Sequence, residues 1–323
     1  MQVIYHAYVY LYIVASSHVN LSIQELKFYR SFGIKFVVLW KILTMTKVYP
    51  IIAEHWKIDG GTCFGVVPKS IWSRYVKTDE NNMIPVSSRC LLIFSGNQII
   101  LFDTGMGNKQ SDKYYSFSQP WDRENFLPQL AKHGVKPDDV TDVIFSHLHW
   151  DHTGGASYFD ENGILKERFP NAQYYCSKAS WESSQNPNFR EAKAFFEEDL
   201  SILYNSGKLN LIEKDTYFNP DIFIKLSDGH TLGHIMLIMD TNKGKLAFTA
   251  DFIPLKELVP LAWICSQDIH PMETLRDKTA FLNEACDGNY IIMYGHDYYN
   301  ECSRLKRTEK GIVATESFNW NDI

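Results

Sequence analysis

The sequence predicts an α/β protein of two sheets covered by helices, and three observations lead there. Short β-rich runs alternate with helically spaced segments; the histidines and aspartates able to do chemistry fall just past the ends of those runs; and no internal repeat or low-complexity linker divides the chain. With 323 residues, 45% of them hydrophobic and 22% charged, the chain can bury a large core.

The first 45 residues stand apart. Lys27, Arg30, Lys35 and Lys41 against Glu25 make them basic, and Val3 to Ala15 is apolar like the middle of a signal peptide. No positive residue precedes that stretch, however, and it is short for a bilayer span. Residues 1–45 are therefore separated as a leader from a main domain at 46–323, with export through the leader and a true start at Met45 both left open.

From Val48 onward the elements follow in order. Ile51 to Lys57 reads as a strand ending at Asp59-Gly60-Gly61, and Cys90 to Phe94 with Gln98 to Phe102 reads as a hairpin around Ser95-Gly96-Asn97. The hairpin runs into the glycine-rich loop Asp103-Thr104-Gly105-Met106-Gly107. Phe126, Leu127, Leu130 and Ala131 give Glu124 to His133 a helical spacing that stops at Gly134, and Val143-Ile144-Phe145 reads as a buried strand. Gln173 to Cys176 is strand-like, and Phe189 to Tyr204 reads as an amphipathic helix with its charges outward. Ile222 to Leu226, Ile235 to Met239 and Lys245 to Ala250 read as strands, Met272 to Ala285 as a helix, and Tyr290 to Tyr294 as a last buried strand.

Charge and cysteine usage exclude some classes. A net charge of −6 gives no reason to expect nucleic acid as a partner. Six cysteines lie far apart with no Cys-x-x-Cys pair, which favours scattered buried thiols in a reducing, cytoplasmic compartment over a disulfide framework.

Residues 146 to 155 read Ser-His-Leu-His-Trp-Asp-His-Thr-Gly-Gly. In an extended segment His147 and His149 point the same way, and a turn at Trp150 presents Asp151 and His152 to a neighbouring position, an arrangement that can serve two ions. Imidazole and carboxylate suit zinc, and also manganese, iron or cobalt. Three of only 11 histidines fall within six residues here, which ordinary loop composition does not explain. Further on, Asp228-Gly229-His230-Thr231-Leu232-Gly233-His234, Thr249-Ala250-Asp251 and Tyr294-Gly295-His296-Asp297 each place a donor past a strand end.

The order of these motifs resembles the metallo-β-lactamase superfamily, in which His-x-His-x-Asp-His is followed by Gly-His, a bridging Asp and a final His. The resemblance runs from about Val48 to Asp297 and implies an αββα sandwich. It also implies that His147, His149 and His230 hold one divalent ion, usually zinc in the family, that Asp151, His152 and His296 hold the other, and that Asp251 bridges them. Asp103 matches an aspartate that orients a ligand histidine, and His234 matches a histidine that is structural.

Within the superfamily, Asp251 separates the chain from the true β-lactamases, which generally lack the bridging Asp, and His149 from the flavodiiron proteins, which carry Glu there. Asp59-Gly60-Gly61-Thr62-Cys63-Phe64-Gly65-Val66-Val67-Pro68-Lys69-Ser70 and Arg89-Cys90-Leu91-Leu92 are similar to the N-acyl homoserine lactonases and the methyl-parathion-type hydrolases. That likeness implies lactone opening by a metal-bridging hydroxide, with Asp151 as proton shuttle, on a small-molecule substrate. A homodimer is common among such enzymes. The alternatives are an organophosphate triesterase, a mononuclear-iron persulfide dioxygenase and a non-catalytic metal-binding module. Two departures stand near the expected pocket: Pro254 replaces a tyrosine common in lactonases, and Asp-x-Asp-Pro appears as Asp268-Ile269-His270-Pro271. Phe64, Trp72, Met83, Trp150, Leu258, Leu261 and Trp263 are candidates to line an acyl pocket, with Leu255 to Ile264 as its wall; His270 either binds substrate or caps a helix.

Overall fold

The computed structural model describes residues 46–323, so the leader assigned to residues 1–45 lies outside the described residues. The chain enters β1 (Lys47–Asp59), and two short helices, α1 (Gly60–Phe64) and α2 (Lys69–Trp72), lead to β2 (Met83–Ser95). The expected hairpin is present: Ser95 pairs with Gln98, the first residue of β3 (Gln98–Phe102), leaving Gly96-Asn97 as its turn. Then come α3 (Asp112–Ser118), α4 (Phe126–Lys132), β4 (Asp142–Ile144), α5 (Trp150–Thr153) and the small pair β5 (Ser157–Phe159) and β6 (Leu165–Glu167). β7 (Gln173–Ser177), α6 (Lys178–Gln185), α7 (Glu197–Ser206) and β8 (Leu209–Ile212) complete the first half. The second half holds β9 (Thr216–Asn219), β10 (Ile222–Ser227), β11 (His234–Thr241), β12 (Gly244–Phe248), α8 (Pro271–Asp287), β13 (Ile291–Met293), β14 (Cys302–Ser303) and the hairpin β15 (Leu305–Thr308) and β16 (Gly311–Ala314).

One six-stranded sheet has the order β1-β2-β3-β4-β7-β8, the other β14-β13-β12-β11-β10-β9. Side chains alternate faces along a strand, and here both faces are apolar because both are covered. Leu91, Ile93, Ile100, Phe102 and Ile144 of the first sheet meet Ile235, Leu237, Met239, Leu246, Phe248, Ile291 and Met293 of the second. The residues between them point outward. Cys90, Leu92, Leu101 and Val143 pack under Phe126 and Leu130 of α4, while Met236, Ile238, Ala247 and Ile292 pack under Phe281, Leu282 and Ala285 of α8. The layers are helix, sheet, sheet, helix, the αββα sandwich.

Two predicted elements are corrected. The helix expected over Phe189 to Tyr204 is present only from Glu197, because the backbone before it is committed elsewhere. Asn188 starts a single turn, its Oδ1 accepting from Arg190 N and Glu191 N and its carbonyl from Ala192 N, but Ala194 O accepts from Trp150 N at 2.8 Å, so the turn does not run on into α7. The strand expected to reach Ala250 ends at Phe248, where the backbone turns sharply and Ala250 takes a left-handed φ of 42°.

α8 also holds the apolar segment Leu255 to Ile264. Lys278 is buried, and its ammonium donates all three protons to the carbonyls of Leu258, Pro260 and Trp263. Among the described residues no disulfide forms and no helix is long and apolar enough to cross a membrane. Lys278→Met would leave three carbonyls without their donor and is expected to lower stability by roughly 2–5 kcal/mol, read from the midpoint of denaturant unfolding.

Candidate metal centre

The chemistry-bearing residues converge where strands of both sheets end. β3 delivers Asp103 and β4 delivers Ser146 to His152; the β10–β11 loop delivers His230, the end of β12 Asp251, and the end of β13 His296. Two glycine-rich loops interlock beneath them. A Cβ on Gly154 would sit 2.0 Å from Met106 O and one on Gly155 2.0 Å from Thr104 O, so only glycine permits this approach. Main-chain bonds seal it: Thr104 N donates to His152 O at 2.8 Å and Gly155 N to Gly105 O at 3.0 Å. Glu54 of β1 accepts from Met106 N at 3.1 Å in the same place, and burial pushes its carboxyl up to about 7.

Every expected donor reaches this centre. Ring nitrogens of His147, His149 and His230 form one close group, donors of Asp151, His152 and His296 another, and those of His147, His152 and Asp251 a third, each within 4.8 Å. Asp251 lies between the first two groups: its Oδ1 is 2.9 Å from His296 Nε2 and 3.1 Å from His152 Nε2, and its Oδ2 is 3.3 Å from His230 Nε2. Asp151 Oδ2 lies 3.5 Å from both His152 Nε2 and His296 Nε2. His234 stands apart in role, since its Nε2 accepts from Asp251 N at 3.2 Å and thereby fixes the turn that carries Asp251.

The outer nitrogens are held as well. Asp103 Oδ2 accepts from His152 Nδ1 at 2.9 Å while its Oδ1 accepts from Ser146 N at 2.7 Å. Ser146 Oγ lies 2.9 Å from His147 Nδ1, and Ser87 O accepts from His296 Nδ1 at 2.8 Å. Three partners escaped sequence reading. Asp268 accepts from His230 Nδ1 at 3.1 Å and from Thr274 Oγ1 at 2.7 Å. Glu191 lies 3.4 Å from His149 Nε2. Buried Arg89 pins the His296 loop through the carbonyls of Tyr294 and Asp297. Asp268 was visible only as part of a departure from a family motif, and Arg89 only as a matching residue without a role. Glu191 carried no signal.

The pocket candidates divide. Phe64, Trp72 and Leu258 are core, with the Phe64 and Trp72 rings stacked at 4.9 Å. Trp150 and Trp263 are half-buried, Met83 likewise, and Leu261 is exposed. An aromatic row rises from the donors: Trp56 lies 5.6 Å from His296 and 5.8 Å from Trp150, Trp150 lies 5.3 Å from Tyr114, and Tyr114 lies 5.0 Å from Phe196. His270 neither caps α8 through its side chain nor joins the donors; it is exposed, with Nδ1 3.0 Å from Asp228 O. Pro254 offers its carbonyl to His296 N at 3.1 Å.

Burial drives the imidazoles of His147 and His149 below their usual range, leaving both neutral with a lone pair to offer. His152, His230 and His296 go the other way. Burial opposes their charge, but Asp251 and its neighbouring carboxylates outweigh it and raise all three, His152 most of all. Burial likewise opposes charge on Asp251, yet His296, His152 and His230 hold its carboxyl well below the ordinary range.

These residues fit a divalent cation. His230 Nε2 and Asp251 Oδ1 are buried without a hydrogen-bond partner, an arrangement that is costly unless something positive satisfies them. Bare imidazole nitrogens also face one another, His147 Nε2 and His149 Nδ1 at 2.9 Å and His152 Nε2 and His296 Nε2 at 3.3 Å. Lone pairs converging in this way are a ligand set for a metal of the zinc type.

Comparison with known proteins agrees. Residues 83–296 match the metallo-beta-lactamase superfamily. An N-acyl homoserine lactonase of Bacillus cereus is 28% identical over 237 residues, which span 68% of this chain and 85% of that one. The N-acyl homoserine lactonase AiiA of Bacillus thuringiensis subsp. kurstaki is 26% identical over 230 residues, 66% of this chain and 82% of its own. Among solved structures, a probable metal-dependent hydrolase from Staphylococcus aureus superposes with a TM-score of 0.75 at 24% identity, covering 85% of this chain and 98% of that one. AidC, a dizinc quorum-quenching lactonase in complex with a product, superposes with a TM-score of 0.69 at 21% identity, covering 85% and 95%.

An imidazole must carry no proton on the nitrogen it offers to a metal, so a bound divalent ion competes with protons at this centre. Zinc added to the metal-free protein in weak buffer is expected to release protons, and its affinity to tighten as pH rises from about 5 to about 8, both read by calorimetry in buffers of different ionisation enthalpy. Converging donors at the strand ends of an αββα sandwich and a match over residues 83–296 lead to one assignment: the chain belongs to the metallo-beta-lactamase superfamily, a hydrolase family whose fold implies divalent metal ions.

Proposed function

We propose that the chain opens the lactone ring of N-acyl homoserine lactones using two divalent ions, zinc in the first instance. His147, His149 and His230 would hold one, Asp151, His152 and His296 the other, with Asp251 shared. The observation that carries this reading is the position of Asp251, whose two oxygens face opposite donor groups. The names of the lactonase relatives support the substrate. So does the aromatic row from Trp56 to Phe196, which offers an acyl chain an apolar surface beside the donors.

When bound, two such ions acidify water and polarise a carbonyl or phosphoryl oxygen. The protein's own residues do the rest. Asp103, Asp268 and the Ser87 carbonyl hold His152, His230 and His296 in single orientations. Asp151 turns Oδ2 toward His152 and His296, and its other oxygen is the group to carry the proton to the leaving alkoxide. Trp56 places an apolar ring beside His296, with Trp150 next to Trp56.

Pro254 favours a second reading, phosphotriester hydrolysis, because it supplies no phenol to hydrogen-bond a lactone oxygen. Zinc-loaded protein is expected to open N-decanoyl-homoserine lactone, followed by proton release, and Asp251→Ala to lose that activity. No opening with both metals bound would move the phosphotriester reading ahead. Asp151→Asn is expected to keep its metal content and lose about 10²–10⁴-fold in kcat; full activity would remove Asp151 from proton transfer.

A further inference from the structure

Residues 186–196, between α6 and α7, are neither helix nor strand, yet they are tied down at each end of the metal centre. Ala194 O accepts from Trp150 N at 2.8 Å, the Phe195 ring lies 5.2 Å from the His149 ring, and Arg190 Nη2 donates to Ser266 O at 2.6 Å. At the middle sits Glu191, only 3% exposed. Asn188 fixes its backbone through Oδ1 and bonds Glu191 Oε2 through its amide, so the carboxylate cannot turn away. Glu191 Oε1 then faces His149 Nε2 at 3.4 Å, while His149 Nδ1 faces His147 Nε2 at 2.9 Å.

We infer that Glu191 is a positioning residue that keeps the His149 proton on Nε2 and so presents the Nδ1 lone pair to the ion held by His147, His149 and His230. A neutral imidazole has one N–H and one lone pair, and a carboxylate acceptor at one nitrogen assigns the proton to that nitrogen. The consequence is specific: one ion depends on the 186–196 segment, while the ion at Asp151, His152 and His296 has its orienting partners on Asp103 and Ser87. The inference rests on the two-ion reading above.

The test is zinc binding to the full chain by chelator competition, with melting of the metal-free protein beside it. Wild type is expected to show two binding constants. Glu191→Ala should weaken one of them about 10–100-fold and leave the other, and the metal-free melting temperature, unchanged. Glu191→Gln, whose amide oxygen still accepts from Nε2, should restore most of the loss. Two constants in wild type that are both unchanged in Glu191→Ala would overturn the role of Glu191 alone. So would both constants falling together with the melting temperature, without rescue by Gln. A wild-type chain that binds one ion or none would overturn the two-ion reading, and this inference with it.

Discussion

Asp251 is a carboxylate taken out of water and surrounded by three imidazoles, His296, His152 and His230, at 2.9 to 3.3 Å. Opposite unit charges 4 Å apart attract by about 4 kcal/mol at an effective dielectric near 20, so such a group is tolerable only with positive charge beside it. The local backbone is shaped around that requirement. Ala250 holds a left-handed φ of 42°, strain of order 1–3 kcal/mol, and His234 gives up its Nε2 to the Asp251 N–H. A buried position of this kind, with imidazole and carboxylate donors converging on it, fits a divalent cation.

The sandwich is what brings the donors to one place. Asp103, Ser146 and the His147 to His152 run leave the first sheet, while His230, Asp251 and His296 leave the second, and the inter-sheet core sets the distance between them. Close backbone contact at Gly154 and Gly155 then sets the height of the His152 loop over Asp103. Arg89 does the same for the opposite side, fastening β2 to the loop of His296.

The apolar surface beside the donors is built differently. Its aromatic row is continuous with the core below it, since Trp56 belongs to the buried cluster under α8 and Trp150 packs against that cluster. Its apolar wall from Leu255 to Ile264 is held by Lys278 through three carbonyls, with hydrogen bonds in place of a side-chain lock. The donor set is thus fixed from both sheets, whereas the wall hangs from one helix.

What the sequence determined by itself was what short-range periodicity can encode. Short apolar runs bounded by turn residues marked β3, β11, β12 and the end of β2, and the spacing of His147, His149, Asp151 and His152 marked the donors, because neighbours in a strand or turn have directions set by local geometry. The αββα sandwich and the distant donors His230, Asp251 and His296 were legible through the order of motifs. Only the tertiary structure decided which groups hold those donors still. Glu191 lies 42 residues from His149 and Asp268 lies 38 from His230, and Arg89 reaches Asp297 across 208, separations at which no periodicity survives. The stretch before Glu197 shows the reason most directly. Its apolar and charged residues have the spacing of a helix, but Trp150 takes the Ala194 carbonyl and His149 faces the buried Glu191 carboxylate, and those partners are present only once the chain has folded.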